Sequence, residues 1–259
     1  MVKLFATDLD GTLLKRGNII QDDDIKAIHK LKGKRIDFAI ATGRMDRDIQ
    51  MVCNEIKHNA HRISQNGAFV DTKDNKTILT NTFDAETSKE LHKAVEAFPN
   101  PFSITTQFEN YVSFKTPEIK KLEDVLYFPL IEGVDFLDEY GGDFLPSKFM
   151  LLGEQHELLP FQQELNAHFH KVSESYLSDP HCVDIVPKHV SKAVGLQTLA
   201  EQVNIAPTDI AVIGDSFNDI PMFDITPHSF AMSTAPSEVQ QKAKYVVDEV
   251  HEAIDMLLK

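Results

Sequence analysis

Cysteine is nearly absent. The 259 residues contain two, Cys53 and Cys182, which cannot build a disulfide framework. One lies in a helical pattern and the other in a strand-like one, so reduced, buried thiols are expected rather than a redox or metal pair. Basic residues are outnumbered: 26 lysines and arginines against 40 aspartates and glutamates leave a formal charge of −14. A surface of that sign repels phosphate backbones and anionic lipid, so no nucleic acid and no membrane is expected among the partners. A phosphorylated ligand would have to be met by a local cationic site against the global field. No apolar run approaches the roughly 20 residues of a membrane span, and no apolar stretch follows a basic segment near the start. A cytoplasmic location is the expectation. There is no HExxH, and pairs such as His58/His61 and His168/His170 arise by chance among 11 histidines.

Apolar residues make up 42% of the chain, enough for a sizeable core. The first part alternates short apolar runs with amphipathic helical stretches: LFAT, the helix-like DDDIKAIHKL, IDFAIA, a helix from Arg44 to about Lys57, and the run ISQNGAFV. The last part resumes that alternation from about Ser191, through DIAVIG, SFAM and YVV to a closing helix. Strands that alternate with helices predict a parallel sheet covered on both faces. The middle differs. A helix over about Phe83–Phe98 precedes SITTQF and YVSFKT, with a tight turn at Glu109-Asn110. A helix over about Gln155–Phe169 precedes KVSESYL and HCVDIV. The pattern predicts an α/β protein: a doubly wound, mostly parallel, Rossmann-like core of residues 1–82 and 186–259, interrupted by an inserted α+β domain of residues 83–185.

Open parallel sheets bind ligands at the carboxyl ends of their strands. LFAT is followed by Asp8 and Asp10, IDFAIA by Thr42, Gly43 and Arg44, and AVIG by Asp215, Ser216, Asn218 and Asp219. Three strands of one sheet would thus bring acids and a hydroxyl to one edge. Residues i and i+2 of an extended chain point the same way, and two carboxylates so placed repel unless a cation lies between them or one is protonated. Asp215 adds a third acid. Such a cluster suits a hard divalent cation, and Mg²⁺ fits a site that keeps waters and shares ligands with a phosphate. A calcium loop does not fit: counted from Asp8, its required glycine and glutamate positions hold Leu13 and Ile19. Asp215 and Asp219 lie one helical turn apart and can face one site. Lys192 is the expected fixed cation opposite them.

These residues resemble the haloacid dehalogenase superfamily of aspartyl-phosphate phosphatases, in particular its Cof-like branch with a large α/β cap. The motif DxDGT matches Asp8 to Thr12, ATGR spans Ala41 to Arg44, and NGA spans Asn66 to Ala68. SKAVGL contains Lys192, and GDxxNDxxM matches Gly214, Asp215, Asn218, Asp219 and Met222. Two positions depart from the family pattern: Lys192 is followed by Ala193 rather than glycine, and Ser233-Thr234-Ala235 stands in place of Gly-Asn-Ala. The resemblance implies a Mg²⁺-dependent phosphatase acting on small phosphorylated metabolites of sugar-phosphate size. Asp8 would be the nucleophile and Asp10 the general acid and base. Asp8, Asp10 and Asp215 would hold the metal, with Asp219 bracing it. Leu9 (through its amide), Thr42, Gly43, Arg44, Lys192 and Asn218 would hold the phosphoryl group. A phosphotransferase or mutase, or a regulatory protein that binds a phosphometabolite with little turnover, would use the same constellation. Asn110, Tyr111, Lys148 and His181 are candidate contacts from the inserted domain.

Overall fold

The computed structural model describes residues 1–123, 126–142, 144–179 and 181–259. The chain divides into two compact units, Met1–Thr80 with Ser191–Lys259, and Asn81–Val190. No helix among the described residues is long and apolar enough to cross a membrane.

The first unit opens with strand β1 (Leu4–Thr7), helix α1 (Asp22–Gly33), strand β2 (Asp37–Ala41), helix α2 (Asp46–Ile56) and strand β3 (His61–Ser64). β1 and β2 pair in parallel, Leu4 beside Asp37 and Thr7 beside Ile40, and β2 pairs in parallel with β3. All four residues of β1 are buried, as the unbroken apolar run LFAT requires of a strand covered on both faces. The run ISQNGAFV, read as one strand, is in fact a hairpin. A short 3₁₀ turn over Gln65–Gly67 separates β3 from β4 (Phe69–Asp71), and the two pair antiparallel. Three successive residues with positive φ, Gln65, Asn66 and Gly67, reverse the chain there. Strand β5 (Thr77–Thr80) adds to β4.

The second unit begins with helix α3 (Ala85–Val95), strands β6 (Phe102–Thr106) and β7 (Asn110–Val112), helix α4 (Pro117–Glu123) and strand β8 (Ile131–Glu132). Strand β9 (Pro146–Leu152), helix α5 (Gln155–Phe169) and the hairpin β10 (Ser173–Asp179) and β11 (Cys182–Pro187) complete it. The Glu109-Asn110 turn falls two residues earlier than read. Asn110 already pairs with Thr105 across β6 and β7, and the Thr106 amide donates to the Glu109 carbonyl around Gln107 and Phe108. The sheet order is β10-β11-β9-β6-β7-β8. Its core is rich in aromatics: Phe83, Phe98, Phe102, Phe136, Tyr140 and Phe149 pack with leucines of α3 and α5.

The chain then returns to the first sheet with helix α6 (Lys192–Gln202), strand β12 (Ile210–Gly214), helix α7 (Ile220–Asp224), strand β13 (His228–Met232), helix α8 (Ser237–Gln240), strand β14 (Tyr245–Val247) and helix α9 (Val250–Leu257). The order of this eight-stranded sheet is β14-β13-β12-β1-β2-β3-β4-β5. It is parallel from β14 to β3 and antiparallel beyond. Leu196, Leu199 and Ala200 of α6 pack with Leu4, Ala6, Ala39, Val212 and Ala231 from the strands. Such a fold points the ends of β1, β2 and β12 the same way.

Candidate active site

Asp8 directly follows β1 and is buried. Its Oδ1 accepts from the Lys192 ammonium at 2.6 Å, and Lys192 also donates to Asp219 Oδ1 at 2.8 Å. Lys192 is the first residue of α6, and the Ser191 hydroxyl caps that helix by accepting from the Val194 amide. Burial alone would lower the lysine's affinity for its proton; the charges of Asp219 and Asp8 outweigh it and hold the ammonium above its ordinary range. Burial pushes the Asp8 carboxyl well up, against the pull of Lys192, and the neighbouring Asp219 and Asp215 charges add to the rise. Asp215 is likewise raised, by burial first and by Asp219 second.

Asp8, Asp215 and Asp219 each place a carboxylate oxygen within 4.8 Å of the others, the only acidic or histidine cluster of this kind among the described residues. Thr12 donates its hydroxyl to Asp215 Oδ1 at 2.9 Å. Gly11, at φ +79°, brings its backbone under the same carboxylate: a Cβ there would lie 2.3 Å from Asp215 Oδ2. Asp219 is differently employed. Its Oδ1 faces Lys192, and its Oδ2 accepts from the amides of Asp215 and Ser216 at 3.0 Å each. It therefore braces the loop and the lysine, with its oxygens already engaged by protein donors. Three carboxylates around one ammonium leave an excess of negative charge in a buried space. A hard cation with oxygen ligands fits the site.

Asp10 does not join this cluster. The i, i+2 expectation fails because the chain leaves its extended path at Leu9, whose carbonyl accepts from the amides of Thr12 and Leu14. The Asp10 side chain is 57% exposed and is forked by Arg44, Nε to Oδ2 at 2.8 Å and Nη2 to Oδ1 at 2.6 Å. Thr42 is buried and its hydroxyl accepts from the Arg44 amide. A Cβ at Gly43 would lie 3.3 Å from Asn66 Oδ1. Asn66 holds Asn218, whose Nδ2 donates to Asn66 Oδ1 at 3.1 Å, while the buried Asn218 Oδ1 has no hydrogen-bond partner.

Of the residues suggested in the second unit, Asn110 accepts from Thr105 and Lys148 lies 3.6 Å from the buried Asp184. Tyr111 packs on Phe136 and Phe144 in the core, and His181 is an exposed partner of Glu154. Three contributors had no role in the sequence reading. Thr12 and Asn66 lie inside recognisable motifs, so the signal was present. Asn18, which accepts from Arg44 Nη2 at 2.8 Å, carried none.

A model of the haloacid dehalogenase-like hydrolases matches residues 5–255. The chain belongs to this hydrolase family. Among curated relatives it is 25% identical over 282 residues to 5-amino-6-(5-phospho-D-ribitylamino)uracil phosphatase YwtE of Bacillus subtilis, covering 95% of this chain and 92% of that protein. It is equally similar, at 25% over 252 residues, to the stress response protein YhaX of the same organism, covering 94% and 87%. Among solved structures, TM0651 from Thermotoga maritima superposes with a TM-score of 0.87 at 25% identity, covering 99% of this hydrolase and 97% of its own chain. A haloacid dehalogenase-like hydrolase from Bacteroides thetaiotaomicron gives 0.89 at 22% identity, covering 99% and 100%, a likeness of fold.

Proposed function

We propose that this hydrolase is a Mg²⁺-dependent phosphatase that cleaves small phosphorylated metabolites, sugar phosphates foremost, through an aspartyl phosphate on Asp8. One observation carries the reading: a buried carboxylate, Asp8, shares a lysine ammonium with Asp219 and stands beside Asp215 at the carboxyl edge of a parallel sheet. That is a nucleophile inside a cradle for phosphoryl charge. The name of the YwtE relative, which specifies a phosphorylated ribityl compound, supports a small phosphorylated substrate.

In the first step an Asp8 oxygen forms a bond to phosphorus as the bond to the leaving oxygen breaks. Asp10 gives that oxygen its proton. In the second step water attacks the same phosphorus, Asp10 takes the water's proton, and the Asp8–phosphorus bond breaks to release inorganic phosphate. Lys192, Thr42, the Leu9 and Gly43 amides and Asn218 are the donors we assign to the phosphoryl oxygens, in a site where each such donor is worth about 10²–10³ in turnover. Asp8 and Asp215, with the backbone at Asp10, would hold Mg²⁺, which when bound supplies charge neutralisation for the approaching phosphoryl group. Asp219 supports both by fixing Lys192 and the loop of Asp215.

Phosphate release from a panel of sugar phosphates, nucleotides, pyridoxal phosphate and aryl phosphates, with and without Mg²⁺, tests the proposal. Mg²⁺-dependent release that disappears in Asp8→Asn is the expected result. Release unaffected by that substitution would overturn the mechanism. Phosphate passed to an acceptor sugar rather than to water would make the enzyme a phosphotransferase.

A further inference from the structure

The general acid and base of this mechanism stands apart from the nucleophile. Asp8 is buried, whereas the Asp10 side chain is 57% exposed and gains no fixed direction from packing. An exposed aspartate samples several rotamers, yet proton transfer to a leaving oxygen requires one aim. The fixed geometry comes from elsewhere. Arg44, at the end of β2, is itself only 14% exposed and meets Asp10 with two parallel charge-assisted hydrogen bonds. Its backbone is pinned on both sides: its amide donates to the Thr42 hydroxyl at 3.1 Å, and its carbonyl accepts from the Gln65 amide at 2.8 Å. Its Nη2 is shared with Asn18 Oδ1 at 2.8 Å, and Asn18 sits at φ 57°, a conformation that asparagine tolerates well.

We infer that Arg44, backed by Asn18, is a positioning residue that aims the Asp10 carboxylate at the leaving oxygen, rather than a ligand of the substrate's phosphoryl group. This rests on the phosphatase reading above. For Arg44 to hold phosphate with Nε and Nη2 it would have to surrender both hydrogen bonds to Asp10 and the one to Asn18. The Lys192 ammonium already supplies a cation beside Asp8. A carboxylate offers about four lone-pair sites. The fork uses one on each oxygen and leaves the others for proton exchange. The stability such a half-exposed pair contributes is small, so the test reads chemistry.

The test compares phenyl phosphate, whose leaving group needs a proton, with 2,4-dinitrophenyl phosphate, whose leaving group departs without one, using kcat/KM so that only the first step is read. Arg44→Met is expected to lower kcat/KM for phenyl phosphate about ten- to a hundredfold, and for the dinitrophenyl ester by less than about threefold. Competitive inhibition by inorganic phosphate stays unchanged. Asn18→Ala shows the same selectivity to a smaller extent. Arg44→Lys keeps the charge without the fork and remains close to Arg44→Met. In an Asp10→Asn background Arg44→Met adds no further loss on phenyl phosphate, the coupling expected of residues acting as one unit. Equal losses on both esters with weakened phosphate inhibition would make Arg44 a phosphoryl ligand and overturn the inference while leaving the phosphatase intact. So would an Arg44→Met enzyme indistinguishable from wild type. A folded wild-type protein inert towards both esters would overturn the phosphatase reading, and this inference with it.

Discussion

The two units use their buried positions differently. In the first, a largely parallel sheet buries Asp8, Thr42, Lys192 and Asp219 where its strands end, beside a mostly aliphatic cluster under α6. In the second, a mostly antiparallel sheet backs an aromatic core, and its buried His92 bonds to the Tyr140 hydroxyl at 2.9 Å. The difference follows from strand direction. Parallel strands all end on one side, so short loops after β1, β2 and β12 converge, and burial turns their polar residues into a concentrated field. Antiparallel strands alternate their ends and create no such edge. Their polar residues lie across a face instead, as Lys148 and Asp184 do. Buried charge in the first unit is therefore read as chemistry, and buried aromatic surface in the second as packing.

The largest effect expected from breaking this contrast is at Asp8. Asp8→Asn should lower turnover at least about 10⁴-fold without unfolding the chain, because it removes a carboxylate whose burial already opposes its charge. Circular dichroism beside the phosphate assay checks both halves, and a variant that loses its fold would show the charge to be structural. Next comes Gly67→Ala. At φ +93° a Cβ there would stand 2.2 Å from the Ser191 carbonyl, the residue that caps α6 ahead of Lys192. Denaturant titration should show a loss of about 2–4 kcal/mol, with activity falling alongside. Mg²⁺ should then act locally. At a hundred times its dissociation constant a bound ion adds about 2.7 kcal/mol, read as hydrogen-exchange protection around Asp8 and Asp215 and reversed by chelator. Equal protection of β6 and β9 amides would erase the distinction between the units.

The same contrast explains how far the sequence could be read. In the first unit Asp8, Thr42 and Asp215 stand in short segments that each follow an apolar strand, and Lys192 opens a helix, so all four could be named as candidates from the sequence. Their relations could not. Asp8 and Asp10 share a motif yet part company, because the Leu9 turn depends on hydrogen bonds to Thr12 and Leu14 that spacing does not reveal. Asn18 lies in a loop with no periodicity, and only three-dimensional structure brings it to Arg44. ISQNGAFV read as one strand because its apolar residues flank a reversal made by backbone conformation at Gln65, Asn66 and Gly67. In the second unit α5 was readable from its pattern, whereas the β6–β7 turn was displaced, since Glu109 and Asn110 look like turn residues but Asn110 is drawn into the ladder by Thr105.

The smallest effect concerns His92, the second unit's counterpart to the buried charges of the first. Burial lowers its affinity for a proton, and Glu96 and Asp135 only partly oppose this. Its Nδ1 is hydrogen-bonded to the Tyr140 hydroxyl, which burial keeps protonated, while its Nε2 has no hydrogen-bond partner. The unfolded chain takes up a proton on this imidazole near pH 6.5, and the folded chain only at lower pH. The unfolded state then binds more protons in that window, so stability is lost as pH falls below about 6.5. Tyr140→Phe leaves Nδ1 unpaired and should cost about 1 kcal/mol at neutral pH. Replacing both, His92→Leu with Tyr140→Phe, removes the titrating ring together with its partner, and the double variant should lose less stability on acidification than wild type. His58 and His61 of the first unit are also held below their ordinary range by burial. A double variant as acid-sensitive as wild type would therefore assign the response to them, and the second unit would owe its stability to aromatic packing without a pH-dependent element of its own.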